Sequence, residues 1–221
     1  MNNLELRLEE LRNSATGGKM QVGDKIVFGM YEWHILDLQN NKALIITKDI
    51  IEQRPYHNAC KDTTWADCAL RKYLNGEFYN KFNEVDRARI IPVTNYNQNN
   101  PWYGSIGGEN TQDNIFLLDI EEVVCKYFGD SSANLQNRSA KQKYWFQKKD
   151  KNNELRIARF KGGIWWWWLW SPGRSNVRGV YIHGDGNLGI QGNNIGGYNS
   201  KGFHYLGDNN SGVRPALWLE L

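Results

Sequence analysis

Four histidines (His34, His57, His183, His204) and three cysteines (Cys60, Cys68, Cys125) are the residues with the most latent reactivity in this chain. Their spacing limits what they can do. The histidines are dispersed and form no HExxH-like pair that would bring two imidazoles to one face of a helix around a metal. The cysteines are odd in number and follow no metal-ligand spacing. That argues against a zinc site or a disulfide framework, although Cys60 and Cys68 are near enough in sequence to pair under oxidising conditions. No Gly-x-Ser-x-Gly elbow, P-loop or dinucleotide fingerprint occurs. Asp185 and the run Asp208-Asn209-Asn210 carry the oxygens that calcium takes, but without EF-hand spacing. Nothing brings Asp24 and Glu32, or Glu121 and Glu122, into a shared cleft. The expectation is a protein that is not an enzyme and holds no metal and no cofactor.

What remains is the chemistry of recognition, and it is concentrated between Gly163 and Leu221. Five tryptophans (Trp165 to Trp168, and Trp170) precede a stretch rich in Gly, Asn, Tyr and His, which closes on Gly212-Val213-Arg214-Pro215-Ala216-Leu217-Trp218-Leu219. Tyr gives a large contact area at low side-chain entropy cost, and Asn and Ser give adaptable hydrogen bonds, as in antibody paratopes. An extended strand over Trp165–Trp170 sends alternate side chains to opposite faces, so either both faces are covered or one binds something. Trp168 and Trp218 read as core. Trp170 is placed outside, because Ser171-Pro172-Gly173 turns the chain directly after it.

The segment Val180–Gln191 reads as a β-hairpin whose register follows from its apolar pattern. A two-residue Asp185-Gly186 turn would mix apolar and polar residues on each face. A three-residue loop, Gly184 to Gly186, pairs His183 with Asn187, Ile182 with Leu188, Tyr181 with Gly189 and Val180 with Ile190. It collects all four aliphatic residues on one face, with Gly186 in the left-handed position. The other face, with Tyr181, His183, Asn187, Gly189 and Gln191, then meets solvent or a ligand.

These segments need a scaffold. The 221 residues, 40% hydrophobic and 23% charged, can bury a sizeable core and suit one domain. A net charge of only +3, with no long basic run, argues against a nucleic-acid partner. No segment has the length and apolarity of a membrane span, and Met1–Leu11 has no signal-peptide pattern, so membrane insertion is not expected. Cytosol, virion and surface display all stay open. Leu4, Leu8 and Leu11 predict a short amphipathic helix in an N-terminal arm over residues 1–20, packed on the domain or on another copy in a homo-oligomer. The apolar clusters from Val22 to Ile46 predict two or three strands joined by tight turns. Helices are expected near 64–74, near 76–82, and from Asp119 to Phe128, where early acids and the late Lys126 suit the helix dipole. The stretches Asn95–Gln112 and Ser131–Asp150 read as surface excursions.

Trp167-Trp168-Leu169-Trp170-Ser171-Pro172-Gly173, the Asp185-Gly186 hairpin and the terminal Gly212–Leu219 run together resemble C-type-lectin-fold variable proteins diversified by retroelements. So do Leu70–Asn75 with Phe78-Tyr79, and Asp113–Leu118. The similarity spans roughly Val22 to Leu221. It implies an α+β, C-type-lectin-like domain over residues 21–221, with antiparallel sheets, two or three flanking helices and a long irregular C-terminal region. Adenine-directed errors in such proteins rewrite selected codons, so the outward residues vary on a fixed scaffold and bind a protein or glycan chosen by selection. The implied ligand-binding positions, within about 170–210, are Trp170, Arg174, Asn176, Arg178, Tyr181, His183, Asn187, Asn193, Asn194, Tyr198 and Asn199. Phe203, His204 and Tyr205 are looser candidates. The Glu-Pro-Asn and Gln-Pro-Asp triplets of calcium-dependent sugar lectins are missing. So are the C-terminal cysteines of formylglycine-generating enzymes. A calcium-dependent glycan lectin is thus the second expectation and an oxidase on this fold the third.

Overall fold

The computed structural model describes residues 20–137, 149–196 and 211–221. The helix expected over Leu4–Arg12 lies outside them, as do Tyr198, Asn199 and the Phe203–Tyr205 run. Three strands open the described chain: β1 (Lys25–Phe28), β2 (Tyr31–Gln39) and β3 (Lys42–Thr47). Asn40, at φ 52°, supplies the left-handed residue that the tight β2–β3 turn requires. Ala43, Leu44, Ile45 and Ile46 are all buried, so β3 is covered on both faces, as its unbroken apolar run implies.

A short β4 (Glu52–Gln53) leads into the helical part. The helix expected over 64–74 is interrupted. A 3-10 turn over Trp65–Asp67 gives way at Cys68, which is extended (φ −67°, ψ 152°), before α1 (Ala69–Tyr73) begins. Cys68 Sγ accepts from the Arg71 amide and so caps α1, at 3.3 Å. The reset at Cys68 lets Trp65 and Leu70 both reach the core. Where the second helix is expected, near 76–82, a π turn (Leu74–Phe78) and a 3-10 turn (Tyr79–Lys81) continue directly from α1. After them come α2 (Glu84–Arg89), β5 (Ile90–Ile91), β6 (Val93–Asn95) and β7 (Thr111–Asp113). The expected helix at Asp119–Phe128 is a short π-helical turn (Glu122–Lys126). It is started by a reciprocal capping box: the Asp119 amide donates to Glu122 Oε2 (2.8 Å) and the Glu122 amide to Asp119 Oδ1 (2.7 Å).

Two short helices follow, α3 (Ser132–Gln136) and α4 (Asn153–Arg156), and then the remaining strands. These are β8 (Ala158–Phe160), β9 (Gly163–Trp165), β10 (Trp167–Pro172), β11 (Arg178–Ile182), β12 (Leu188–Asn194), β13 (Gly212–Val213) and β14 (Ala216–Glu220). Two five-stranded sheets form, ordered β1-β2-β3-β14-β5 and β12-β11-β10-β13-β4, with two-stranded sheets β6-β7 and β8-β9 beside them. The architecture is α+β. Most pairs are antiparallel, but β10 and β13 run parallel, a departure from the all-antiparallel expectation. C-terminal β14 lies between β3 and β5, with Leu217 opposite Ile45 and Trp218 opposite both Leu44 and Ile91. β14 is therefore an interior strand of the first sheet, and the apolar Ala216–Leu219 run is scaffold.

Buried Asp113 joins the helical part to β6 and β7. It accepts from Arg71 Nε (2.6 Å), Trp65 Nε1 (3.0 Å), Asn95 Nδ2 (2.8 Å) and Thr111 Oγ1 (2.7 Å). A carboxylate out of water is tolerated only with such a full set of donors.

Candidate recognition surface

The tryptophan block divides at Trp166. Trp165 lies exposed in β9 and Trp166 is half-buried, while Trp167, Trp168, Leu169 and Trp170 are all buried in β10. The two faces of β10 are thus both covered. Trp167 Nε1 donates to the Arg156 carbonyl (3.0 Å) and Trp168 Nε1 to the Arg54 carbonyl (3.1 Å), so each large ring is buried with its polar atom satisfied.

Trp170 is not displayed. At 4% exposure it packs against Trp65 and Phe116, with ring centroids 5.9 and 5.8 Å away, and its amide donates to the Leu118 carbonyl (3.1 Å). The strand does not end at Trp170 but continues through Ser171 and Pro172, so Trp170 sits inside β10 rather than at its border.

The hairpin has the expected register near its tip: Ile182 is opposite Leu188, Tyr181 is opposite Gly189, and the His183 amide donates to the Asn187 carbonyl (2.8 Å). Gly186 has φ 77°, the left-handed closing position, and Val180, Ile182, Leu188 and Ile190 are fully buried. The polar face is largely covered as well. Tyr181 is only 9% exposed, because its ring lies where a Gly189 side chain would be and packs T-shaped with Trp166, 5.2 Å between centroids. Burial raises the Tyr181 phenol above its usual pKa. Asn187 is also buried, its side-chain oxygen accepting from the Leu188 amide (3.0 Å). Tyr181 and Asn187 thus belong to the packed interior of the hairpin rather than to a display face.

The hairpin tip is docked on α4. Arg156, fully buried, donates from Nε to the Gly186 carbonyl (3.0 Å), from Nη1 to Ser131 Oγ (3.3 Å) and from Nη2 to Asp150 Oδ1 (3.4 Å). Gly186 packs so closely on the Asn153 carbonyl that a Cβ there would collide with it. Of the candidates at this end only His183 is exposed, with Nδ1 3.1 Å from Asp185 Oδ1. Asp185 also pairs with Lys149 at 2.6 Å. Burial works against the Asp185 charge, but bonds from Lys149, the Asn187 amide and His183 outweigh it and hold the carboxyl below its usual range.

Five candidates do gather, at the opposite end of the hairpin. Arg178 pairs with Asn194 and its neighbour Gly179 with Asn193, across a bulge at Gly192 (φ 76°), which packs against Gly173 and the Gly179 carbonyl. The Arg174 amide donates to the Gln191 carbonyl (2.7 Å), and the Gly173 amide to the Arg178 carbonyl (2.7 Å). Asn176 Nδ2 donates to the Ile106 carbonyl (2.7 Å), and its own carbonyl accepts from the Thr63 amide (3.0 Å). Arg174 is exposed, while Asn176, Arg178, Asn193 and Asn194 are half-buried.

The Asn-rich loop after β6 braces this end. Asn100 Nδ2 donates to the carbonyls of Pro172 (2.8 Å) and Ile190 (3.0 Å), and its Oδ1 accepts from the Trp102 and Tyr103 amides (2.9 and 3.2 Å). The Ser105 hydroxyl donates to the Gly173 carbonyl. This loop places Ile106 (63% exposed) beside Asn176 and also exposes Tyr96 (64%). Neither residue was singled out in the sequence, where the loop reads as a surface excursion. The usable signal was its density of asparagines around Pro101, since asparagine side chains that hold backbone order a loop without strands.

All three cysteines are free, so Cys60 and Cys68 are not paired, and burial raises the Cys68 thiol to about 12. Among the described residues no three His, Cys, Asp or Glu side chains gather as a metal would need, and no helix is long and apolar enough to cross a membrane.

No curated protein and no solved structure matches this chain. The model of one family, a domain of unknown function termed DUF6273, matches residues 40–221, a span that includes β3, the helical part and both halves of the hairpin. With most of its length inside that match, the chain belongs to the DUF6273 family.

Proposed function

We propose that this protein binds a ligand through a diversified polar surface carried on a fixed C-type-lectin-like scaffold, and that it is not an enzyme. The observation that carries the reading is the clustering of Arg174, Asn176, Arg178, Asn193 and Asn194 on backbone fixed from beneath by residues of other segments, Asn100, Ser105 and Thr63. Side chains on such a backbone can change while the main chain keeps its place, which a diversified site requires. The C-type-lectin-like assignment is supported by a second sheet built around the tryptophan block and by β14, which returns to the first sheet between β3 and β5. The surface combines two arginines with amides and with exposed Ile106, a composition that suits a protein surface better than a sugar.

The test lies in the DNA around the gene. The reading predicts a nearby non-coding copy of the 3′ coding segment that differs from it mainly at adenines, with a reverse transcriptase gene beside it. An isolated gene with no such copy would leave the surface without its source of variation and end this reading.

A further inference from the structure

Arg214 and Pro215 carry the chain from β13 in the second sheet to β14 in the first. They lie beside the Lys48–Ile51 crossover that joins β3 to β4. The Thr47 amide donates to the Pro215 carbonyl (3.0 Å) and the Ile51 amide to the Val213 carbonyl (3.0 Å). At this junction the Arg214 side chain turns inward and is 3% exposed. Its Nε donates to the Thr47 carbonyl (2.9 Å) and its Nη2 to the Lys48 carbonyl (3.2 Å). The guanidinium lies over the rings of Trp167 (5.0 Å) and Phe128 (5.6 Å).

These contacts leave the cation incompletely served. Nη1 is buried and has no hydrogen-bond partner among the described residues, and the same holds for Thr47 Oγ1 on the residue whose carbonyl already takes Nε. The opposite charge that acts on Arg214 comes from Asp49, an exposed residue. A buried charge without a close counter-charge is costly, and ring faces and carbonyl dipoles offset only part of that cost. Nη1 can only donate, and the Thr47 hydroxyl has a hydrogen to give. A ligand that accepts without donating, and that carries one negative charge, fits this set better than water, which must place two hydrogens of its own.

We propose that Arg214 Nη1, together with Thr47 Oγ1, holds a small inorganic monoanion, chloride in ordinary salt, at the junction of the two sheets. The bound ion ties the β13–β14 crossover to the β3–β4 crossover and so couples the two sheets. It plays no part in the recognition surface and stands or falls apart from it.

Crystals of the full chain grown or soaked in bromide test the assignment through anomalous scattering. A bromide peak within hydrogen-bond distance of Arg214 Nη1 is expected. Thermal unfolding gives the solution counterpart: at constant ionic strength, replacing gluconate by chloride raises the unfolding temperature, by roughly 3 °C for each tenfold of chloride above half-saturation. Thr47→Val keeps the volume and the arginine while removing one donor, and is expected to shift the chloride dependence to higher concentration; this variant serves because Arg214→Met risks failing to fold. Density at Nη1 without an anomalous signal, with equal unfolding temperatures in the two salts, would identify a water and overturn the proposal.

Discussion

The two ends of the β11–β12 hairpin have similar compositions of glycine, asparagine and charged residues, yet they are built for different work. At the tip, Gly184–Gly186 is held by α4: Arg156 takes the Gly186 carbonyl, Asn153 leaves no room for a side chain, and Asp185 is tied to Lys149. At the other end the backbone is fixed just as firmly, by Asn100, Ser105 and the Gly173–Gly192 contact, but there the side chains of Arg174, Asn176, Arg178, Asn193 and Asn194 face outward or half outward. The difference lies in what the supporting contacts use. At the tip they use up side chains and the space for them. At the base the support comes mainly from other segments, and the side chains that also bond backbone there, Asn176 to the Ile106 carbonyl, Arg178 to the Gly192 carbonyl and Asn193 to the Asn194 amide, do so from half-buried positions. Along β11 the two ends are roughly 16 Å apart, five residues at the rise of a strand. A ligand centred on one therefore need not touch the other.

That contrast can be broken or sharpened by substitution. The largest effect is expected in β10, the strand that pairs with β11 alongside the hairpin: Trp168→Ala should cost about 3–5 kcal/mol in calorimetric unfolding, since the ring is fully buried against Tyr56 and Trp166. A loss under about 1 kcal/mol would mean that the second sheet is not packed as described. Trp218→Ala should cost less, because that ring is half-buried beneath Lys42.

At the tip, Gly186→Ala should cost at least about 1–3 kcal/mol from the left-handed backbone alone, with the collision on Asn153 in addition. Urea unfolding of this variant, read against the same measurement on Arg174→Ala, tests the asymmetry between the ends. Equal effects would dissolve it.

A smaller, pH-dependent effect is expected from the capping box that stands behind β10. Burial, with Asp119 nearby, raises Glu122 to about 8, so the native state holds a proton there that the unfolded chain gives up. The sign follows: this glutamate favours the fold fully only below the ordinary carboxyl range, and the contribution fades as pH rises toward about 8. Glu122→Gln should therefore flatten the pH dependence of stability across that interval and be relatively more stable at pH 9, as thermal unfolding at pH 5 and pH 9 would reveal. An unchanged profile would place the titration elsewhere.

The smallest effects belong at the base. Arg174→Ala should change stability by less than about 0.5 kcal/mol, as exposed substitutions do, and Asn193→Ala by about 0.5–1.5 kcal/mol for the lost bond to the Asn194 amide. A loss above about 2 kcal/mol in either would show these side chains to be structural.

Much of this fold was legible because alternation is a local property. Val180, Ile182, Leu188 and Ile190 could share a face in only one register, and Gly186 had to take the left-handed place; both hold. The unbroken apolar run of β3 likewise signalled a strand covered on both sides. What was not legible depends on partners distant in sequence. Trp170 looked like a border residue until Trp65 and Phe116 closed over it. Tyr181 looked displayed because nothing local says that it folds over Gly189 beneath Trp166. Asn187 was read as a surface amide, though its side chain binds the adjoining backbone. The helix near 64–74 broke at Cys68 because burying both Trp65 and Leu70 outweighed local helix preference. Of the proposed site, the five residues at the base came only from the family resemblance, and nothing local set them apart from Trp170, Tyr181 and Asn187, which the structure buries. Its bracing loop, with Tyr96 and Ile106, was not legible.

In the proposed function the base of the hairpin changes while the packed strands do not. Sequencing this gene from many individuals of one population tests it most directly. Amino-acid replacements are expected to concentrate at Arg174, Asn176, Arg178, Asn193 and Asn194, with Trp167–Trp170, Val180, Ile182, Leu188 and Ile190 held constant. Replacements spread evenly over the domain, or a base as invariant as β10, would contradict it.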